Sequence, residues 1–120
     1  MHVIHRTSVE LFPADDGSLV RELAAPGNSP LVGHSLAEIR HPAGTASREH
    51  YHRVAEEVYY VLEGEGFLGV DGQVRAIGPG DVAVIRPGQR HKVGQQGVGD
   101  LVLLVTCVPA YSPAEVVFTE

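Results

Sequence analysis

A single cysteine, Cys107, is all that this 120-residue sequence contains, so no disulfide can form within the chain and nothing points to an oxidising compartment. A core without cross-links is feasible at this length, because such a chain buries roughly two thirds of its unfolded surface. No stretch approaches the roughly 18 apolar residues of a membrane-spanning helix. The opening residues, Met1-His2-Val3-Ile4-His5-Arg6, lack the apolar run of a secretory signal. The expectation is a cytoplasmic protein with no membrane partner. Basic charge is scarce, with nine Lys and Arg against fifteen Asp and Glu and a formal net charge of −6. The longest basic cluster, Arg86, Arg90, His91 and Lys92, is too weak to bind a phosphate backbone, which argues against nucleic-acid recognition. Internal repeats, low-complexity segments and amphipathic helical periods are absent as well.

What remains is a soluble globular composition, 43% hydrophobic and 20% charged, in which 14 glycines and 8 prolines act as punctuation. Short segments of period-two alternation lie between these breakers. They run from Val3 to Phe12 before an Asp15-Asp16-Gly17 turn, from Leu31 to Arg40, from Arg48 to Arg53 and from Glu57 to Glu63. Phe67–Val70 and Gln73–Ile77 flank Asp71-Gly72, the dipeptide that a type I′ hairpin turn favours because both of its central residues need positive φ. Asp81–Arg86, Arg90–Gln95, the strongly apolar Leu101–Val108 and a last edge segment, Val116–Thr119, complete the set; residues 18–30 are ambiguous. Parallel crossovers need a dozen or more residues each, so eight to ten strands in this length imply an all-β sandwich or barrel. We read residues 1–120 as one domain.

Seven histidines are present, and their placement matters more than their number. His50 and His52 are two apart on a predicted strand, so both imidazoles point to one face, roughly 6–7 Å apart along it. Glu57 opens the next strand, and His91 follows the Pro87-Gly88 turn. Three neutral imidazoles and a carboxylate, with no thiolate, suit one divalent transition-metal ion: Fe, Mn, Ni, Co, Cu or Zn. Four protein ligands around an octahedral ion leave two positions open, the arrangement of a catalytic site. Alone, a His-x-His pair is an ordinary solvated pair and Glu57 an ordinary surface carboxylate. Their joint occurrence carries the signal.

The stretch Gly44-x5-His50-x-His52-x4-Glu57-x6-Gly64 resembles the first motif of the cupin superfamily, and Gly80 to Gln95 (GDVAVIRPGQRHKVGQ) resembles the second. The fifteen residues between Gly64 and Gly80 look like the spacer of small single-domain cupins. The resemblance implies a cupin-type double-stranded β-helix, a jelly-roll barrel with a metal in its mouth. It assigns His50, His52 and Glu57 to the first motif's ligands and His91 to the second's. By the same analogy the chain forms a homodimer. Two positions depart from the pattern: Arg86 stands where a proline is usual, and Gln95 where an asparagine is frequent. Neither is a ligand.

Other side chains compete for a role in the pocket. Strand parity puts Arg48 on the face of His50 and His52 if that strand extends back, where its guanidinium could bind an anionic substrate; a rim ion pair is the plainer account. Tyr59 shares the face of Glu57 and is either a core residue or a phenol that acts on substrate. Gln95 shares the face of His91. Cys107 reads as a small buried hydrophobe rather than a nucleophile. His34 and His41 lie near the barrel wall with no spacing that ties them to the ion. The motif specifies a site but not its reaction. The leading reading is a metal-dependent enzyme, an isomerase, lyase or dioxygenase, acting on a small oxygen-bearing molecule. The rivals are a metal-containing module that binds a sugar or organic acid without turnover, and an ion that serves stability alone.

Overall fold

A computed structural model describes residues 1–120 as eleven strands and two 3-10 turns. One sheet contains β1 (Leu11–Pro13), β2 (Leu19–Ala24), β3 (Ser35–His41), β10 (Leu101–Val108), β5 (Glu56–Glu63) and β8 (Val82–Ile85), hydrogen-bonded in the order β1-β2-β3-β10-β5-β8. The other contains β11 (Val116–Phe118), β4 (His50–His52), β9 (His91–Gln96), β6 (Glu65–Val70) and β7 (Gln73–Ile77), in the order β11-β4-β9-β6-β7. Every pairing is antiparallel. Consecutive strands repeatedly cross from one sheet to the other, which makes the molecule a jelly-roll, the double-stranded β-helix expected.

The most apolar strand is central, as its composition requires: β10 is flanked by β3 and β5, and Leu101 and Leu103 are fully buried. With Tyr59, Val61, Leu68, Ile85, Val93 and Val105 they fill one end of the barrel between the sheets. Asp71 and Gly72 take φ values of 50° and 83°, the left-handed pair that a type I′ turn needs, and close the β6–β7 hairpin. Gly64 is constrained twice, by a φ of 81° and by the Asp100 carbonyl, which occupies the space a Cβ would need.

Three strand expectations are corrected, the first being Arg48–Arg53, which is strand only over His50–His52. Val3–Phe12 is not one strand: His5 accepts the Thr7 amide and caps a 3-10 turn at Arg6–Ser8, so pairing begins only at Leu11. Leu31–Arg40 starts later, at Ser35. The ambiguous segment after residue 18 forms β2, and the Asp15-Asp16-Gly17 turn joins it to β1, with Gly17 at φ 96°.

Candidate metal centre and cavity

Short strand β4 is held on both sides, by β11, where Phe118 pairs with His50 and Val116 with His52, and by β9, where His50 pairs with His91. The loop before His91 is clamped by the β6–β7 turn, with Asp71 N–H donating to the Arg90 carbonyl (2.8 Å) and the Asp71 carboxylate accepting the Arg90 amide (3.0 Å). The Gly88 amide donates to the His52 carbonyl at 2.8 Å. Backbone pairing therefore brings together side chains some forty residues apart.

His50, His52 and His91 are buried, and each offers a ring nitrogen within 4.8 Å of the others. Their orientation is fixed from behind. Nδ1 of His50 donates to the Arg48 carbonyl (2.7 Å), Nδ1 of His91 to the Gln89 carbonyl (2.8 Å) and Nδ1 of His52 to Glu115 Oε1 (2.9 Å). A carbonyl or carboxylate can only accept, so Nδ1 carries the proton and Nε2 presents a lone pair inward. Glu57, on β5, completes the set: its Oε1 lies 3.0 Å from His52 Nε2 and 3.3 Å from His91 Nε2. These approaches lack hydrogen-bond geometry, so Glu57 Oε1 and His91 Nε2 are buried without a hydrogen-bond partner. Lone pairs aimed at a common point, rather than at each other, are what a shared cation requires. The four residues can hold a metal ion.

Burial opposes ionisation of Glu57, but His52 and His91 outweigh it and hold the carboxyl at about 2. Burial also works against protonation of His52, yet Glu57 and Glu115 raise its pKa. His50, with no carboxylate partner, is lowered by burial and by the neighbouring His91.

The centre opens into a cavity of about 230 Å³ whose inner wall is apolar, formed by Ile39, Val93, Leu103 and Val105, with Phe12, Tyr111 and Phe118 at the mouth. Tyr59 lines it while belonging to the core, with its ring 6.0 Å from that of His91. Burial raises its phenol well above the ordinary value, so the group is a proton-bearing donor rather than a base. Cys107 also faces the cavity, and burial pushes its thiol up to about 12, which fits the unreactive reading.

Arg48 stands elsewhere than parity suggested. The strand begins only at His50, and Ser47, not Arg48, is buried before it. Arg48 is exposed, donates to the Glu120 carbonyl at 2.9 Å and lies 4.1 Å over the Phe118 ring. It does not line the cavity. Gln95 is also outside it. Its side chain accepts the Gly44 amide (2.9 Å) and donates to the carbonyls of Gly97 (2.9 Å) and Gly99 (2.7 Å), so it clamps two loops.

One residue, Glu115, escaped the sequence analysis, and His41, expected near the barrel wall, faces the cavity. Glu115 fixes His52 while its other oxygen accepts the amides of Val54 (2.9 Å) and Ala55 (3.2 Å), and no spacing in the sequence links it to the motif. His41 faces the cavity at the end of β3, fully buried with both ring nitrogens unpartnered, and burial keeps its imidazole neutral despite Asp16 nearby. His34, by contrast, is exposed.

Comparison with known proteins agrees with this fold. Residues 37–107 match the family described as the cupin domain. The chain is 36% identical over 104 residues to the uncharacterized protein MJ1618 of Methanocaldococcus jannaschii, covering 87% of this chain and 83% of that one. It is 32% identical over 73 residues to the oxalate-binding protein of Thermotoga maritima, covering 61% of this chain and 60% of that protein. Among solved structures, the polyketide cyclase RemF from Streptomyces resistomycificus superposes with a TM-score of 0.83 at 24% identity, covering 100% of this chain and 86% of that one. A predicted oxalate decarboxylase from Thermotoga maritima superposes at 0.79, also at 24% identity, over 90% of this chain and 99% of that one. At these identities the two structures establish a shared fold.

Proposed function

The chain belongs to the cupin family, and from that premise we propose that it is a metal-dependent enzyme acting on a small oxygen-bearing molecule, with one divalent transition-metal ion held by His50, His52, Glu57 and His91. The observation that carries this reading is the pair of buried donors without partners, Glu57 Oε1 and His91 Nε2. An unsatisfied buried polar group costs about 1–3 kcal/mol, and more when charged, and a cation between the two removes that cost. When bound, such an ion supplies Lewis-acid polarisation of a substrate oxygen and, if redox-active, a route for electrons. The chain's own groups provide the rest. His50, His52 and His91 stay in the tautomer that their Nδ1 partners impose. Tyr59 keeps its proton and can donate it in a hydrogen bond to substrate, and the aliphatic wall excludes water. Isomerase, lyase and dioxygenase chemistry all fit this site. Solved neighbours of this fold carry names as different as polyketide cyclase, predicted oxalate decarboxylase and nucleoside dehydratase.

Metal analysis of protein purified without chelator, paired with oxygen-uptake measurements, tests the proposal. A stoichiometric metal whose removal abolishes turnover supports it; full turnover by metal-free protein overturns it. A second reading, a metal-containing binding module without turnover, is favoured by the relative named an oxalate-binding protein. Saturable ligand binding with no product under any metal would select it. We also read the chain as a homodimer. Val58, Tyr60 and Leu62 of β5 and Val82 and Val84 of β8 leave an exposed apolar face at a sheet edge, of the kind a second copy covers. Light scattering of the purified protein checks this.

A further inference from the structure

Building on the cavity as the substrate site, we propose that its ligand is an uncharged, hydroxyl-bearing molecule with a flat apolar body, and that Asp16 at the mouth excludes anions. No lysine or arginine lines the cavity. Arg48, two residues before His50, is held outside by Glu120 and the Phe118 ring. Acidic groups, in contrast, line it beside Glu57: Asp15, Asp16 and Glu22. Asp16 is the best placed of these. Its Oδ1 accepts the Ser18 amide (3.0 Å) and the Ser18 hydroxyl (2.6 Å), which fixes the carboxylate, while Oδ2 makes no hydrogen bond within the chain and is free to accept one from a ligand.

The other titratable groups facing the cavity beyond the proposed ligands add no positive charge. Burial keeps His41 unprotonated, and the phenols of Tyr59 and Tyr111 and the Cys107 thiol carry no positive charge in either protonation state. A divalent ion set against Glu57 and Asp16 leaves no surplus charge to attract a carboxylate or phosphate ligand. The apolar wall and the rings of Phe12, Tyr111 and Phe118 suit a planar hydrocarbon body instead.

Calorimetric titration with 2-naphthol, naphthalene and 2-naphthoate at pH 7.5 tests the proposal, on zinc-loaded and on chelator-treated protein. The expected order places 2-naphthol at least about tenfold tighter than 2-naphthoate in both forms. Asp16→Asn, which keeps the Oδ1 acceptor for Ser18, should reduce that gap several-fold, and so should raised salt in the wild type. Naphthoate binding as tight as naphthol in wild type overturns the proposal, as does failure of all three probes to bind. A gap that responds neither to Asp16→Asn nor to salt overturns the role of Asp16. A naphthol preference that survives in protein unable to retain zinc supports this inference while sinking the metal reading, so the two fail separately.

Discussion

Four buried histidines face the interior of this barrel, and they differ in what stands behind them. His50, His52 and His91 each have Nδ1 tied to a carbonyl or carboxylate, whereas His41 has neither nitrogen tied. Burial alone therefore does not make a candidate ligand. An imidazole becomes one when an acceptor at its back fixes the tautomer and turns the remaining lone pair to a shared point. Two buried carboxylates extend the contrast. Glu57 is held ionised inside the cavity by imidazoles, while Glu38, on the opposite face of its sheet, is held by Arg6 (2.8 Å), Arg21 (3.3 Å) and Arg40 (3.9 Å). A guanidinium cage satisfies its carboxylate completely. The imidazole set leaves an oxygen unpartnered, and that difference separates a structural site from one that can take a cation.

The contrast can be broken most severely at a ligand. His91→Ala should weaken metal binding by more than about 100-fold, read as loss of bound metal after dialysis, because it removes a donor rather than its support. Glu115→Gln should cost about 10–100-fold in metal affinity with the fold intact by circular dichroism; unchanged affinity would mean that His52 needs no carboxylate behind it. Among the carboxylates, Glu38 has a folded pKa below its ordinary value, chiefly through its bond to Arg6. Its contribution is therefore complete above the ordinary carboxylate pKa and lost as pH falls from there toward the folded value. Wild-type melting temperature should drop through that acidic range, and Glu38→Gln should flatten that limb. His41→Leu should leave metal content unchanged and raise stability by about 1 kcal/mol, since it removes buried nitrogens that have no partner. A fall in bound metal would move His41 to the ligand side. The smallest effect is expected at Arg48→Ala, which should lose no more than about 1 kcal/mol of ring contact, measured by chemical denaturation, with metal binding unaltered.

Much of this was legible in the residues because it depends on local rules. Period-two alternation placed most of the strands, and Asp71-Gly72 announced its hairpin through the φ that it requires. His50 and His52 had to share a face because strand side chains alternate. The same rule failed at Arg48, where parity was counted through residues that are not strand. It failed again at Val3–Phe12, where a side-chain cap captured the backbone first.

By itself, then, the sequence determined the all-β class, the hairpin and turn positions, and four candidate donors, three imidazoles and a carboxylate. Which groups stand behind those donors, and which charges face the cavity, only the tertiary structure decided. Glu115 reaches His52 across 63 residues of chain, and Arg48 is drawn outward by Glu120, 72 residues away. Contacts of that separation depend on how the sheets fold over one another, and no local pattern of residue types encodes them.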